Sequence, residues 1–172
     1  MEYCSVYDIN RQKTSQIKLK GESFEKGEFH QVVHCSIINE KNELLIQLRH
    51  PNKKYWSGLW DITCGGSSLA NETSQEAIER ELFEELDITA EFKLMRPFFT
   101  INFSFGFDDF YVLRKNIDID HLKLQVYEVK AIKWASKDEI KRMIKDQEFI
   151  PYRVEIIDLI FSMGDGLLQP FV

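Results

Sequence analysis

The stretch "CGGSSLANETSQEAIERELFEELDI", residues 64–88, constrains the fold more than any other part of the chain. Thr73-Ser74-Gln75-Glu76 has the form of a capping box, which places Thr73 at a helix N-cap with Glu76 reaching back to the cap amide. Ile78, Leu82 and Leu86 recur at four-residue spacing beside Ala77, a stripe that faces a core. Glu81, Glu84 and Glu85 stand at i, i+3 and i+4, so their carboxylates project from one side of that helix. On an exposed helix such like-charge pairs cost about 0.2–0.5 kcal/mol each. At about 6 Å and an effective dielectric near 20, one repulsion approaches ~3 kcal/mol. Arg80 reaches Glu84 or Glu76, but one guanidinium does not neutralise the face. Rigidly spaced oxygen ligands of high charge density suit Mg²⁺ or Mn²⁺. The plainer alternative is a solvated acidic face that favours helix and solubility.

The rest of the chain reads as a mixed α/β domain. Residues 1–28 are polar, and "YDINRQKT" suggests a short hairpin or arm. Strands are expected in "FHQVVHCSII" and "ELLIQLR", and a short β segment in "WDIT". The glycine pair in "CGGSS" is expected to break the pattern. Further strands are expected in "EFKLMRPFFTINFSF", "DDFYVLRKN" and "YEVKAIKWA". Ser136 to Glu139 offers a second capping box, and "PYRVEIIDLIFSM" a last helix with proline at its start. One domain spanning 1–172 follows: an arm (1–28), a core (29–145) and a C-terminal helix (146–172).

The net charge of −6 argues against nucleic-acid or anionic-membrane surfaces. An anionic substrate stays admissible, because a bound divalent cation inverts the local sign. Cys4, Cys35 and Cys64 are an odd number without a CxxC, so no disulfide framework is expected. With no signal-like or membrane-spanning apolar run, the expectation is a cytoplasmic protein.

The stretch opened above resembles the Nudix box. Gly66 is followed after five residues by Glu72, then after seven by Arg80-Glu81, Leu82, Phe83, Glu84-Glu85, Leu86, Asp87 and Ile88. Only the final glycine of the pattern is missing, replaced by Asp87. "GEFHQVVHCSIINEKNELLIQLR…WSGLWDIT" is similar to the first strands of the isopentenyl-diphosphate-isomerase-like branch, and "AIKWASKDEI" to a late strand and helix start. The resemblance implies an α/β/α sandwich with a mixed β-sheet (α+β). It also implies a pyrophosphohydrolase that uses Mg²⁺, or Mn²⁺, on a small-molecule diphosphate, a nucleoside diphosphate derivative above all.

Carried over position by position, Glu81, Glu84 and Glu85 surround the cation and the Gly66 carbonyl adds an oxygen. Glu72 and Arg80 hold the loop on the helix, Arg80 also orienting a carboxylate. The general base is one of the family's acidic groups, on the helix or a later loop. Asp87 in place of glycine implies a left-handed cap at modest cost. Monomer and homodimer are both compatible with the family.

Two rival activities follow from the same resemblance. An isomerase of this branch needs a thiol and an imidazole ahead of the helix, but counting from Trp60 puts Gly65 and Ser67 there, with Cys64 one residue off. On a strand edge that offset points the thiol to the other face. A non-catalytic diphosphate-binding module is the other rival, and the intact carboxylates argue against it. His30 and His34 share a strand face, His30 where the isomerases carry a metal-binding histidine; both also read as ordinary strand residues. Tyr55 and Trp56, with Trp60, suit stacking on a substrate ring or simple core packing. Lys53 and Lys54 suit phosphate contacts or solvent. Asp109, with Asp108, stands where a later strand often supplies an acidic group, and is assigned to the substrate here against the reading of a turn pair.

Overall fold

The computed structural model describes residues 1–163. The helix that carries the carboxylates, α1 (Ser74–Leu86), begins as its sequence dictates. The Thr73 side chain accepts from the Glu76 amide, and the Glu76 carboxylate accepts from the Thr73 amide at 2.8 Å. It ends on Asp87 in the left-handed region (φ 56°, ψ 30°), whose N–H reaches the carbonyls of Leu82 and Phe83.

The strands form a hairpin and a mixed sheet. β1 (Tyr3–Tyr7) and β2 (Lys13–Leu19) pair antiparallel. The sheet contains β3 (His30–Ile38), β4 (Glu43–Arg49), β5 (Trp60–Asp61), β6 (Cys64–Ser67), β7 (Phe99–Phe103), β8 (Gly106–Arg114) and β9 (Val129–Ser136). Its main path runs β5-β4-β3-β8-β7, with β6 joined to β3 and β9 to β4. β3 and β8 are parallel, His30 opposite Gly106 through Ile38 opposite Arg114; the remaining pairs are antiparallel.

Helices cover both faces. Ala77, Ile78, Leu82 and Leu86 of α1 join Val33, Cys35, Ile37, Leu45 and Tyr111 in one core. On the opposite face α2 (Lys137–Lys145) and α3 (Val154–Met163) bring Ile140, Met143, Ile157 and Ile160 onto Ile38, Leu44, Ile46 and Phe110. The result is the expected α/β/α sandwich with a mixed sheet.

Three local expectations need correction. Cys64–Ser67 is a strand paired with β3, not a break. Its glycines are there for close approach. A Cβ on Gly65 would stand 2.2 Å from the His34 ring, and one on Gly66 2.2 Å from Glu81 Oε1. In "EFKLMRPFFTINFSF" only Phe99–Phe103 is strand. The C-terminal helix begins at Val154, three residues past Pro151, because the Ile150 N–H bonds to Trp60 O and the Tyr152 N–H turns back to Ile150 O (2.6 Å) across Pro151. The part of that expectation covering 164–172 lies outside the described residues.

The N-terminal hairpin is built into the structure. The Ala70 amide donates to Tyr3 O (2.6 Å) and the Asn71 amide to Ser5 Oγ (3.1 Å), so β1 braces the loop that leads from Gly66 into α1.

Candidate active site

Gly66 on β6 and Glu81, Glu84 and Glu85 on α1 face one cleft of about 970 Å³. Glu81 and Glu85 are only 6% and 4% exposed, whereas the Glu84 side chain is 45% exposed. Two carboxylates are therefore pulled out of water by the same packing that buries the Ile78–Leu82–Leu86 stripe.

Arg80 organises the face. Its guanidinium donates to Glu72 Oε1 (2.7 Å) and Oε2 (3.0 Å), to Glu81 Oε1 (2.9 Å), to Glu84 Oε2 (3.1 Å) and to Ser67 O (3.2 Å). Burial alone would lower its pKa, but Glu72 and Glu81 push it up, so it stays charged. The Glu76 partnership does not form, because Glu76 is committed to the cap. Glu72 also accepts from the Leu69 amide (2.7 Å), which ties loop to helix through Arg80.

The lysine that acts on Glu85, Lys53, is itself paired with Glu128. Glu85 accepts from Gln47 Nε2 (2.9 Å), and burial, with the charge of Glu81, pushes its pKa up to about 7. Among the described residues, no three acidic, imidazole or thiol groups converge to enclose an ion as the side chains stand. The reason is visible: Arg80 draws Glu81 and Glu84 onto itself. The donor set nevertheless fits a hard divalent cation. Every side-chain donor is a carboxylate oxygen, and the absence of a Cβ at Gly66 lets its backbone stand close to Glu81.

Of the residues assigned to the substrate, Lys54 and Tyr55 line the cleft. Trp56 does not; it is exposed at φ 53° outside it, and Trp60 packs against the α2–α3 core. Asp109 is a correction. It is 1% exposed and accepts from Arg11 Nη2 (3.0 Å), Gln31 Nε2 (2.9 Å), Ser74 Oγ (2.9 Å) and Thr100 Oγ1 (2.6 Å). It is a buried junction between the hairpin, the sheet and α1, with its acceptor capacity spent. Asp108 pairs with His34 Nδ1 at 2.7 Å. Burial pulls the His34 pKa down, but the charge and hydrogen bond of Asp108 outweigh it and bring it to about 9. His30 lies on the cleft wall, stacked on Phe24.

Sequence reading missed Arg49, Lys20 and the rings of Phe24, Phe103 and Phe105, all on the cleft wall. Arg49 spends Nη1 on Asp61 (3.3 Å) and Nη2 on Tyr55 O (3.4 Å), while its buried Nε has no partner. Arg49 thus places a guanidinium on the cleft wall, anchored by Asp61 and the Tyr55 carbonyl. Its only trace in the sequence is an arginine closing an apolar strand.

Of the three cysteines only Cys4 lines the cleft, and it is 3% exposed. Cys64 and Cys35 are fully buried opposite one another across β3–β6, and burial raises both pKa values.

The NUDIX domain family model matches residues 28–154. The chain is 39% identical over 152 residues to an uncharacterized Nudix hydrolase of Listeria innocua, covering 88% of this chain and 90% of that one. It is 27% identical over 143 residues to an isopentenyl-diphosphate Delta-isomerase of Pectobacterium atrosepticum, covering 79% and 78%. A crystal structure of a Deinococcus radiodurans protein superposes with a TM-score of 0.73 at 20% identity, covering 94% and 98%. A carboxylate-bearing loop and helix on an α/β/α sandwich define the class. The chain belongs to the Nudix hydrolase family.

Proposed function

We propose that this protein is a Mg²⁺-dependent pyrophosphohydrolase, with Mn²⁺ as a substitute, that cleaves the diphosphate linkage of a small metabolite, a nucleoside diphosphate derivative. The observation that carries the reading is Glu85: a buried carboxylate beside a second one, held by a neutral amide, and costly unless a cation joins it. Glu81, Glu84, Glu85 and the Gly66 carbonyl would hold the ion. Bound there, a divalent cation polarises a phosphoryl oxygen and offsets charge building on the leaving group.

The remaining work falls to the chain itself. Arg80, fixed by Glu72, sets the positions of Glu81 and Glu84. The cleft cations Arg49, Lys20 and Lys54 orient the phosphates. A carboxylate of the face takes the proton of the attacking water. We take the chain as one domain acting in the cytoplasm on a small molecule, without nucleic acid or membrane, as a monomer or homodimer.

Glu84→Gln and Glu85→Gln test this: each is expected to lower turnover of diphosphate substrates at saturating Mg²⁺ by at least about a hundredfold, roughly 2.7 kcal/mol, with an unchanged circular dichroism spectrum. Activity retained in both variants would contradict it. Isomerisation is the reading the Pectobacterium relative brings to mind. The buried Cys64 and the residues Gly65 and Ser67 lack the thiol and imidazole pair expected of an isomerase ahead of the helix, and formation of dimethylallyl diphosphate from isopentenyl diphosphate would revive it.

A further inference from the structure

The carboxylates of α1 are held by two different chemistries. Arg80 brings a charge to Glu81 (2.9 Å) and Glu84 (3.1 Å), whereas Glu85 accepts from the neutral amide of Gln47, Nε2 to Oε2 at 2.9 Å. Gln47 stands on β4 two residues after Leu45, so both side chains turn to the α1 side of the sheet, where Leu45 joins the core with Leu82 and Leu86. Leu44 and Ile46 turn to the other face and join the core under α2 and α3. The backbone of Gln47 is flanked in register by Asp61 of β5 and Ile132 of β9, so its amide extends from a strand fixed on both sides.

An amide at this position needs a physical reason. Gln47 is 1% exposed inside the otherwise apolar run from Leu44 to Leu48, where another leucine would pack without the desolvation cost of a buried amide. The bond to Glu85 offsets that cost. Glu85 in turn lies in the last turn of α1, which carries no basic residue and whose dipole disfavours an anion. Its backbone carbonyl accepts from the Gln125 amide (3.0 Å), which fixes the main chain there. Backbone and carboxylate are thus held separately, the first from the β8–β9 connection and the second from β4. A lysine or arginine in place of Gln47 would neutralise the carboxylate; an amide fixes it and leaves its charge unspent.

We propose that Gln47 is a positioning residue for the cation site: its amide sets the orientation of the Glu85 carboxylate and, being neutral, leaves that carboxylate's charge to the ion. Loss of a hydrogen-bond partner of a ligating carboxylate costs a metal site about 10–100-fold in affinity or activity. This rests on the reading of the α1 carboxylates as a cation site, but it is tested by comparing binding of the cation among variants, so the two fail separately.

The test is Mn²⁺ binding, followed by electron paramagnetic resonance of the free ion with and without methylenediphosphonate, in wild type, Gln47→Met and Gln47→Lys. Methionine keeps the length and packs in the apolar run but removes the donor, and is expected to weaken Mn²⁺ binding about tenfold or more. Lysine keeps a donor but brings its own charge, and is expected to weaken binding at least as much. A side chain that merely fills the strand would leave Mn²⁺ affinity unmoved in Gln47→Met, and that result would overturn the proposal. Wild-type affinity in Gln47→Lys would overturn it too. So would loss of cooperative unfolding in Gln47→Met, because the amide would then be a requirement of the core. A wild type that binds no Mn²⁺ under either condition would remove the cation reading itself and this role with it. Mn²⁺ bound equally by all three proteins would remove only the role of Gln47.

Discussion

Glu85 sets the residue-scale economy of the site. Its folded pKa of about 7 lies above the ordinary 4.5, so without a cation the fold prefers it protonated. The stabilising preference is whole below about pH 4.5 and is lost as pH rises through 7, on the order of 3 kcal/mol in all. Metal-free Glu85→Gln is accordingly expected to melt above wild type at pH 8 and level with it near pH 4.5. Mg²⁺ should raise the wild-type midpoint at pH 8 and leave that of the variant almost unmoved. Scanning calorimetry with and without chelator checks both signs. Asp109 makes the opposite case. Removing it in Asp109→Ala strands four donors, and a loss of about 3 kcal/mol is expected in urea unfolding. Asp109→Asn should be milder, with KM unchanged, because Asp109 faces packed protein and not substrate.

At the scale of elements, the two glycines of β6 admit close approach on separate sides, Gly66 to Glu81 of α1 and Gly65 to His34 of β3. Gly66→Ala pushes a methyl into the Glu81 carboxylate, which Arg80 tethers. Turnover should fall at least about tenfold, equivalent to 1.4 kcal/mol, with little change in melting temperature. Gly65→Ala meets the His34 ring, wedged between Asp108 and the stacked Phe110, and should cost stability first. Asp87→Gly should gain up to about 1 kcal/mol, since glycine occupies φ 56° without the Cβ penalty. Much of this was legible in sequence. The Thr73–Glu76 box and the Ile78–Leu82–Leu86 stripe follow from local rules of spacing and hold in the structure. The Gly65–Gly66 pair misled because its reason is tertiary: the neighbours that forbid a Cβ, His34 and Glu81, are distant in the chain.

Across the whole molecule, the cleft is a meeting of segments that share no local pattern. Lys20 and Phe24 come from the N-terminal segment, Arg49 from the end of β4, Phe103 and Phe105 from the turn that joins edge strand β7 to β8, and the carboxylates from α1. Sequence spacing finds groups that one helix presents together, which is why Glu81, Glu84 and Glu85 were identifiable. It is blind to groups that only the sheet order brings together. For the same reason Asp109 looked like a surface acid: the donors that bury it arrive from β2's approach, β3, α1 and β7. The hairpin bracing Ala70 and Asn71 makes the N-terminal segment part of the working cleft. The proposed hydrolysis depends on cation binding by the α1 carboxylates. Anomalous diffraction from crystals soaked in Mn²⁺ with α,β-methylene-ADP tests it most directly. A peak coordinated by Glu85 and at least one of Glu81 and Glu84, bridged to the diphosphate, is the expected result; a fully occupied nucleotide with no anomalous signal at those side chains would contradict it.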